Sequence, residues 1–424
     1  MIGTSLEWYD FFVYGTAAAL VFNKLFFPSF EPLVGTLLAF TTYAVGFVAR
    51  PLGGVVFGHY GDKVGRKNVL VVTLLLMGVA TFAIGLLPTY ATIGMWAAVL
   101  LVVLRFVQGL GLGGEWGGAV LMSLEHGAPN KRGLNASWPQ VGVPAGLLLA
   151  NGVMAVMSAI TSDAAFLSWG WRVPFLLSGV LVVVGLWIRL TISETPLFEE
   201  IEREHTKARM PIVDVLKVYP RSVLTALGSR VGTDVAFYTF VLFIVTYVTQ
   251  VLKVPRATAL NAVLVAAAVQ LFLIPLFGRL SDRLGRRPVY LFGGVGALVW
   301  VFAFFALLNT RKTPLILLAA VVALIFHAAM YGPQAAFISE LFSTRLRYSG
   351  ASLGYQLAGV LGGALAPIIS IALLDRFDTW VAVALYVAAM LLITIVAVFA
   401  AQETSKIDLH AEKQEERAII ETPA

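Results

Sequence analysis

Two acidic side chains stand at the start of the first apolar stretch, in GTSLEWYDFFVYG (residues 3–15). Glu7 and Asp10 are three residues apart, which is about one helical turn, so both face the same side of a helix. An ionisable side chain inside a membrane is energetically expensive, and it usually lines a cavity or pairs with a partner. The two carboxylates are therefore candidate functional groups.

Other charged side chains also fall in the middle of apolar stretches. At about 1.5 Å per residue, Asp10 lies roughly 12 Å into the first stretch and Arg105 roughly 18 Å into the fourth, so both lie near mid-membrane. Arg230 and Asp234, four residues apart in the seventh stretch, either form a purely structural ion pair or leave Arg230 to bind an anionic substrate. His327, in the tenth stretch, either relays protons, because histidine titrates near neutral pH, or only hydrogen-bonds to a neighbouring helix.

Further candidates lie at other depths or carry no charge. Glu7 lies near the start of its stretch, where it either helps to gate or relay protons or is only hydrated. Arg50 either snorkels to lipid headgroups or contacts a carboxylate, and Glu115 points about 80° away from Arg105, so it ranks below Asp10 as a partner. Mid-span polar and amphipathic side chains suit the hydroxyl groups of a small polyol acid, although several will only pack or bond between helices. They are Tyr14, Gln108, Trp138, Gln140, Tyr238, Gln270, Tyr331, Gln334, Tyr355 and Gln356.

The composition identifies the class of protein that must position these residues. Of 424 residues, 59% are hydrophobic and 13% are charged, and the mean hydropathy is +0.85. Soluble domains are about 45–50% apolar and about 25% charged, so the chain is an integral membrane protein. The net charge of +6 does not indicate nucleic-acid binding, because the basic residues fall in short loops, where they set membrane orientation.

Enzymatic and metal-binding functions find little support in the sequence. There is no cysteine, which excludes disulfides and thiolate metal sites. The chain contains no H-E-x-x-H, no G-x-S-x-G, no Walker loop and no metal-spaced cluster among its five histidines. We therefore expect no catalytic residues, no metal and no cofactor.

Apolar stretches between loop signals predict twelve membrane-spanning helices, each with about the 20 residues needed to cross the hydrocarbon. Barrel strands would alternate with period two, which these stretches do not. The first stretch is too long for a signal-peptide core, and we expect any tail before it to be short or missing. The predicted spans are 2–27, 33–58, 68–88, 93–127, 131–160, 171–193, 222–250, 257–280, 288–309, 313–342, 345–375 and 379–401.

Basic residues predict the orientation. Most of them lie in the connections that follow even-numbered spans, including the charged segment 194–221. The positive-inside rule places these connections, and with them both termini, in the cytoplasm. The predicted domains are a six-helix bundle over 1–193, a cytoplasmic linker over 194–221, a second bundle over 222–401 and a solvated cytoplasmic tail over 402–424.

A motif recurs at the same place in each half. GHYGDKVGRK (58–67) follows the second span and GRLSDRLGRR (278–287) follows the eighth, both fitting G-x-x-x-D-[KR]-x-G-R-[KR]. Duplicated helical bundles are the architecture of secondary transporters. The acids of the two copies, Asp62 and Asp282, are expected at helix ends beside Arg66 and Arg286, where they can anchor topology. The candidate residues of the two motif copies are Gly58, Asp62, Gly65, Arg66, Lys67, Asp282, Gly285, Arg286 and Arg287.

The doubled motif resembles the signature of the major facilitator superfamily. GTSLEWYDFFVYG, RPLGGVVFGHYGDKVGRK, LRFVQGLGLGGEWGGA and SWGWRVPFLLS resemble the metabolite:proton symporters within it, and ATIGMWAAVLLVVLRFVQG and YSGASLGYQLAGVLGG resemble their shikimate-transporter branch. The resemblance implies a fold in which spans 1, 4, 7 and 10 surround a central cavity. It also implies that these motif residues form a cytoplasmic gate, with a latch made by Asp62 and Arg66 in the first copy and by the corresponding Asp282 and Arg286 in the second.

The resemblance further implies how transport is energised. Asp10 opposite Arg105 matches the acid and the arginine of the superfamily, so a proton on Asp10 would loosen its hold on Arg105 and permit the inward swing; a static salt bridge is the alternative. We expect a monomeric symporter in the bacterial inner membrane that imports protons with a small carboxylate such as shikimate. Proton-coupled uptake of proline or betaine, and export by antiport, remain open because the group handles both acids and zwitterions.

Overall fold

The computed structural model describes residues 2–64, 66–113, 120, 123–124, 129–191, 211–342 and 347–407. Within these ranges the chain is helical and contains no strand. We number the long helices α1 to α12. They are α1 Ile2–Ala17, α2 Pro32–Val64, α3 Arg66–Leu86, α4 Trp96–Leu112, α5 Arg132–Ile160, α6 Arg172–Thr191, α7 Pro220–Tyr238, α8 Arg256–Leu284, α9 Arg286–Asn309, α10 Thr313–Glu340, α11 Arg347–Ala358 and α12 Trp380–Ala400.

Every predicted span overlaps one of these helices. Nine helices of the described residues are long and apolar enough to cross a membrane, and Val71–Leu86 and Trp96–Leu112 are shorter apolar helices. The end of the predicted fourth span, residues 192–210 and the tail from 408 lie outside the described residues, whereas Pro211–Val218 forms a short helix. The chain is thus a multi-pass all-α membrane protein.

The motif regions differ from the prediction. The predicted spans end at 58 and 280, but α2 continues to Val64 and α8 continues to Leu284, because charged residues at the water boundary can extend a helix beyond the apolar span. Gly285, with φ of 100°, separates α8 from α9 in a backbone conformation that favours glycine. The two motif copies therefore lie mostly on helix ends, and we call this side of the molecule the motif end.

Burial separates central from peripheral helices. In the span Pro220–Val251, all residues of the most apolar 18-residue stretch are buried. Large apolar side chains such as Val79, Phe272, Val299 and Phe399 are instead 60–74% exposed. Without water around the spans, such outward apolar faces suit contact with lipid. The helices that carry Asp10, Arg105, Arg230 and His327 have these residues on their buried faces.

Glycine contacts bring α2 and α4 close together. A Cβ on Gly46 would lie 2.5 Å from Nε of Arg105, and a Cβ on Gly109 would lie 2.3 Å from the carbonyl oxygen of Gly46. Any larger residue would push the helices apart. Because of this close approach, Arg105 of α4 lies against the backbone of α2 and near Arg50.

Three helices continue through π-helical turns toward the end opposite the motifs. These turns are Ala18–Phe22 after α1, Thr239–Phe243 and Tyr247–Val251 after α7, and Gly359–Ala364 after α11. π-Helical turns are rare and are frequent at functional sites. They occur here on helices that meet at the centre of the molecule.

Candidate substrate and proton site

Two buried guanidinium groups flank the ring of Phe11. The Cζ atoms of Arg50 and Arg105 lie 4.2 Å and 4.4 Å from its centroid, and the two residues are 3% and 0% exposed. Arg50 also stacks on Phe47 at 4.4 Å, and Arg105 stacks on Tyr43 at 4.6 Å. Neither guanidinium forms an ion pair with a described carboxylate.

Both arginines keep hydrogen-bond donors without acceptors. Nε and Nη2 of Arg50 and Nη2 of Arg105 are buried and have no partner. A buried unpaired charge is costly, and each missing hydrogen bond adds to that cost. The arrangement is suited to an anionic group that accepts these hydrogen bonds.

The predicted direct contact between Asp10 and Arg105 is not made. Oδ1 of Asp10 accepts a hydrogen bond from Oγ of Ser178 at 2.5 Å, and Nη1 of Arg105 donates to Oε1 of Gln108. The amide nitrogen of Gln108 in turn donates to Oγ1 of Thr81 at 2.7 Å and to the main-chain oxygen of Asp10 at 3.3 Å. Gln108, almost one turn after Arg105 on α4, thus stands between the two groups.

Glu7 and Tyr14 lie near this arrangement on α1. Glu7 is buried, at 6% exposed. The hydroxyl of Tyr14 is 2.6 Å from Oγ1 of Thr42, and its ring lies 4.4 Å from Cζ of Arg105. Tyr14 therefore supports the position of Arg105 through its ring.

The C-terminal half contains a formed ion pair. Nε of Arg230 lies 2.9 Å from Oδ2 of Asp234, as the spacing predicts. Nη1 of Arg230 also donates to the main-chain oxygen of Tyr355 at 3.0 Å, and its Cζ lies 2.9 Å from the centroid of that ring. In contrast to Arg50 and Arg105, Arg230 has its own counter-ion.

His327 lies in a second polar cluster of this half. Its Nδ1 is 2.6 Å from Nε2 of Gln270, and its ring packs against Phe237 at 4.7 Å and Tyr331 at 5.2 Å. Both His327 and Gln270 are buried, at 2% and 0% exposed. The histidine thus bonds to a neighbouring helix, as one of its two predicted roles required.

Aromatic rings connect the two halves across the centre. Tyr238 packs on Phe47 at 5.6 Å and on Tyr43 at 6.3 Å, and Phe12 packs on Phe237 at 6.0 Å. The sequence analysis missed Phe11, Phe12, Tyr43, Phe47 and Ser178. The spacing of Tyr43, Phe47 and Arg50 at i, i+4 and i+7 put them on one face of α2 and was the signal that could have identified this surface.

Of the remaining predicted contacts, Trp138 lies away from the centre. It is 49% exposed, and the structure does not bring it to the other candidate residues. Its neighbours Ser137 and Pro139 take the buried face of α5, and an aromatic side chain near a helix end suits the membrane interface. Gln140 is buried. Glu115 lies outside the described residues.

Two further glutamines serve contacts between helices. Nε2 of Gln334 donates to the hydroxyl of Tyr290 at 2.7 Å. Nε2 of Gln356 donates to the main-chain oxygen of Gly113 at 3.1 Å, which joins α11 to the end of α4. Both side chains therefore have structural partners in this conformation.

Asp282, in the second motif copy, connects the two halves at the motif end. It lies in the last turn of α8, at a helix end beside Arg286 as predicted, but it does not cap the helix that follows. Its carboxylate instead accepts hydrogen bonds from the N–H groups of Gly133 at 2.7 Å and Leu134 at 3.0 Å, at the start of α5. Nη1 of Arg286 lies 2.8 Å from the same carboxylate. The acid is stabilised by a helix N-terminus of the other half.

Arg286 belongs to a buried network in which each of its side-chain nitrogens has an acceptor, and we call it the saturated network. Its Nε and Nη2 lie 3.2 Å and 3.1 Å from the carboxylate oxygens of Glu340. Nη1 of Arg132 is 3.5 Å from the same carboxylate, and Oγ1 of Thr404 donates to it at 2.7 Å. Only the folded chain brings Glu340, which is 54 residues from Arg286 in the sequence, to the motif.

The first residues of the predicted tail are part of this network. Glu403 accepts hydrogen bonds from the N–H groups of Arg286 at 2.8 Å and Arg287 at 3.0 Å, at the start of α9. Burial raises the pKa of Glu403, but these backbone hydrogen bonds outweigh it and hold the pKa below its ordinary value. Arg132 also donates to the main-chain oxygen of Ile407 at 2.9 Å. Residues 403–407, at the start of the expected tail, therefore cap α9 and join both halves.

The first motif copy cannot be compared in the same way. Gly65 lies outside the described residues, and so do the side chains at Gly58, Asp62, Arg66 and Lys67. The latch expected of this copy stays a prediction. The described contacts between halves at the motif end come from the second copy, from Glu340 and Gln356, and from the segment 403–407.

The opposite end of the molecule is also closed. Nε2 of Gln250 donates to the main-chain oxygen of Ala19 at 3.0 Å and to Oγ1 of Thr36 at 2.9 Å. Arg256, at the start of α8, lies 3.0 Å from the carboxylate of Asp163, which precedes α6. Contacts between the halves at both ends and rings across the centre describe an occluded conformation.

The comparison with protein families identifies the chain. The family model for the Major Facilitator Superfamily matches residues 1–353 and 228–422. The chain belongs to this superfamily. Its members are transporters, not enzymes, and the twelve-helix architecture described above is their fold.

Individual relatives agree with this assignment. The chain is 43% identical to the shikimate transporter of Escherichia coli (strain K12), over 92% of this chain and 90% of that protein. It is 33% identical to the proline/betaine transporter of the same strain, over 95% of this chain and 82% of that protein. A crystal structure of a D-xylose-proton symporter superposes with a TM-score of 0.75 at 18% identity, covering 96% of this chain and 97% of the other.

Proposed function

We propose that this transporter is a proton-coupled symporter that imports a small carboxylate metabolite, such as shikimate or a related organic acid. The observation that carries the proposal is the pair of buried guanidiniums, Arg50 and Arg105, which have unpartnered N–H groups and no described acidic partner. A carboxylate placed between them would accept charge-assisted hydrogen bonds and offset the cost of two buried cations.

The same residues argue against a quaternary ammonium such as betaine. Such cations are recognised by the faces of aromatic rings. Here the face of Phe11 is already shared by Arg50 and Arg105, and Tyr43 and Phe47 are also in contact with these guanidiniums. Like-charge repulsion in this buried site would add to the difficulty. An anion is therefore the better ligand.

Asp10 is the proposed proton carrier, with Glu7 as a gate or relay. Asp10 is 3% exposed and is held by the neutral donor Ser178 rather than by an arginine. In the proposed cycle, ionised Asp10 pairs with Arg105 instead of accepting the hydrogen bond from Ser178. When Asp10 binds a proton, this pair breaks, and Arg105 is free to bind Gln108 and the substrate. Arg230 with Asp234, and Tyr14, Tyr238, Tyr331 and Tyr355, complete the surroundings of the substrate.

Alternating access requires the two ends to open in turn. In this proposal the motif end is cytoplasmic, the halves comprise 1–193 and 222–401, and the linker 194–221 and tail 402–424 lie on the same side. Asp282 and Arg286 act as a latch that breaks when the cytoplasmic side opens. Charged contacts at a water boundary suit this role, because water can replace the partners of each group when the halves separate. The protein works as a monomer in the bacterial inner membrane.

Uptake of ¹⁴C-shikimate into proteoliposomes tests the proposal. An inward proton gradient is expected to accelerate uptake, and an uncoupler is expected to abolish the acceleration. Asp10→Asn should remove the dependence on the gradient, whereas Trp138→Phe, on the exposed face of α5, should behave as the wild type. Uptake that ignores the gradient in the wild type would contradict proton coupling.

Competing substrates separate the remaining possibilities. Unlabelled organic acids are expected to inhibit uptake, and betaine and proline are expected to inhibit weakly. Strong inhibition or direct transport of betaine would overturn the assignment to acids. Efflux of a preloaded acid driven by an inward proton gradient would instead indicate an antiporter.

A further inference from the structure

Gln108, on α4, places one amide between the arginine and the acid of the proposed proton site. Its Oε1 accepts a hydrogen bond from Nη1 of Arg105. Its Nε2 donates to Oγ1 of Thr81 at 2.7 Å and to the main-chain oxygen of Asp10 at 3.3 Å. The residue is 2% exposed. A single buried amide therefore joins α1, α3 and α4.

The orientation of this amide is fixed by the chemistry of its neighbours. A guanidinium only donates hydrogen bonds, so the amide atom that faces Arg105 must be the oxygen. A main-chain carbonyl only accepts them, so the atom that faces the carbonyl of Asp10 must be the nitrogen. One orientation meets both requirements, and exchanging the two amide atoms would break both contacts. Gln108 thus offers Arg105 a neutral acceptor.

The three nitrogens of the Arg105 guanidinium have different partners. Nε donates to the main-chain oxygen of Tyr43 at 3.4 Å, Nη1 donates to Gln108, and Nη2 has no partner. Because both of these partners are neutral, Arg105 keeps its positive charge and one open N–H group for a substrate. Asp10 is meanwhile held by Ser178. The bond to Gln108 therefore belongs to the state in which Asp10 and Arg105 are apart.

Resting on the proposed function, we propose that Gln108 is a positioning residue that raises the proton affinity of the site, because it gives Arg105 a neutral partner when Asp10 is protonated. In the ionised state, the carboxylate of Asp10 takes Arg105 and Gln108 loses its donor. A hydrogen bond to a charged group is stronger than one between neutral groups, so the bond to Gln108 offsets part of the cost of separating Arg105 from Asp10. Gln108 thereby favours the proton-bound state without binding the proton.

Asp10 is the group whose protonation this role concerns. α3 and α6 face it with the neutral hydroxyls of Thr81 and Ser178, and α5 packs on α1 through Gly146. Arginine and tyrosine do not normally titrate between pH 5 and 8, which leaves Glu7 as the second acid among the described groups around it. The charged and titratable side chains around Asp10 are Glu7, Tyr9 and Tyr14 of α1, Arg50 and Tyr43 of α2, and Arg105 of α4.

The pH dependence of ¹⁴C-shikimate uptake into proteoliposomes tests this role. Gln108→Met keeps the length of the side chain and removes the acceptor, so it destabilises the proton-bound state and not the ionised one. The external pH at which uptake is half-maximal should therefore fall by about one unit, which corresponds to a tenfold weaker proton affinity. At the acidic plateau, where Asp10 is protonated again, uptake should approach the wild-type rate.

Further variants separate this role from a general effect on the fold. Gln108→Asn, which withdraws the amide by one methylene, should give a smaller shift and serves if the methionine variant does not fold. Gln334→Met removes a buried glutamine of the other half that donates to Tyr290, and it should leave the pH of half-maximal uptake unchanged. In a Glu7→Gln background, Gln108→Met should still produce its shift.

The outcomes distinguish this proposal from the one on which it rests. A Gln108→Met protein that keeps the wild-type pH of half-maximal uptake, at whatever rate, would show that Gln108 is only structural. A shift to higher pH would also overturn the proposal, and so would loss of the shift in the Glu7→Gln background, which would assign the titration to Glu7. Wild-type uptake that depends on neither pH nor the proton gradient would instead overturn the proposed proton coupling itself.

Discussion

Two charged clusters in this transporter have opposite bonding states. At the motif end, Arg286 contacts the carboxylates of Asp282 and Glu340, and Thr404 also donates to Glu340. At the centre, Arg50 and Arg105 are equally buried but retain unpartnered N–H groups and contact rings instead of acids. Burial alone therefore does not distinguish the clusters, whereas the presence of counter-ions does.

The difference has a physical consequence. A buried ion pair that loses one partner is destabilised strongly, because the other charge is left alone in a medium of low polarity. A buried charge without a partner already carries that cost, so its removal should relieve the fold rather than damage it. The motif end is thus expected to govern stability and conformation, and the centre is expected to govern binding.

The largest expected effect comes from breaking the saturated network. Glu340→Ala removes the acid shared by Arg286, Arg132 and Thr404, and it should lower the free energy of unfolding by about 3–5 kcal/mol. The decrease is measured as a lower melting temperature of the purified protein in detergent. Glu31→Ala, which changes an exposed glutamate, is the matched control and should have little effect. Equal melting temperatures for both variants would contradict the expectation that the network at the motif end stabilises the fold.

The central cluster should respond in the opposite way. Arg105→Met keeps much of the side-chain volume and removes the unpaired charge, so the melting temperature should stay the same or rise. Uptake of shikimate should fall about a hundredfold, which corresponds to about 2.7 kcal/mol. Arg279→Met, at an exposed position of α8, should retain uptake. A large loss of stability in Arg105→Met would mean that Arg105 is a structural residue.

A smaller effect is expected where the network joins the two halves. Asp282→Asn removes the charge that faces the start of α5 and Arg286, which should cost about 1–2 kcal/mol. Such a loss would favour opening of the motif end by roughly 5–30-fold. The natural chain has no cysteine, so Ser137→Cys supplies a single thiol at a buried position opposite Gly278 for maleimide labelling.

The labelling rate of this thiol should be low in the Ser137→Cys protein that retains Asp282 and higher in the protein that also carries Asp282→Asn. A second reporter, Ser158→Cys at the opposite end, should be labelled at the same rate in both backgrounds. An unchanged rate at position 137 would show that Asp282 does not hold the motif end closed.

Much of the architecture could be predicted from the sequence because the signals are local. A run of about 20 apolar residues must form a helix in lipid, since no water is present to bond its backbone groups. The Arg230–Asp234 pair was predictable for the same reason, because residues four apart on a helix are neighbours. The resemblance of motifs then indicated the superfamily.

The partners of the other site residues depended on contacts between distant segments. Asp10 lies beside Ser178, 168 residues away, and the second motif copy meets Glu340 and Glu403 from two other parts of the chain. Trp138 illustrates the same limit, since its polar tip suggested a site but the packing of α5 turned it outward.

The sequence by itself determined which segments cross the membrane, which charges they carry and at what depth, because helical geometry and hydrophobicity act over neighbouring residues. Only the tertiary structure decided which of those charges would meet. Close packing of α2 on α4 brought Arg50 and Arg105 to one ring, and no spacing along a single helix could have specified that arrangement.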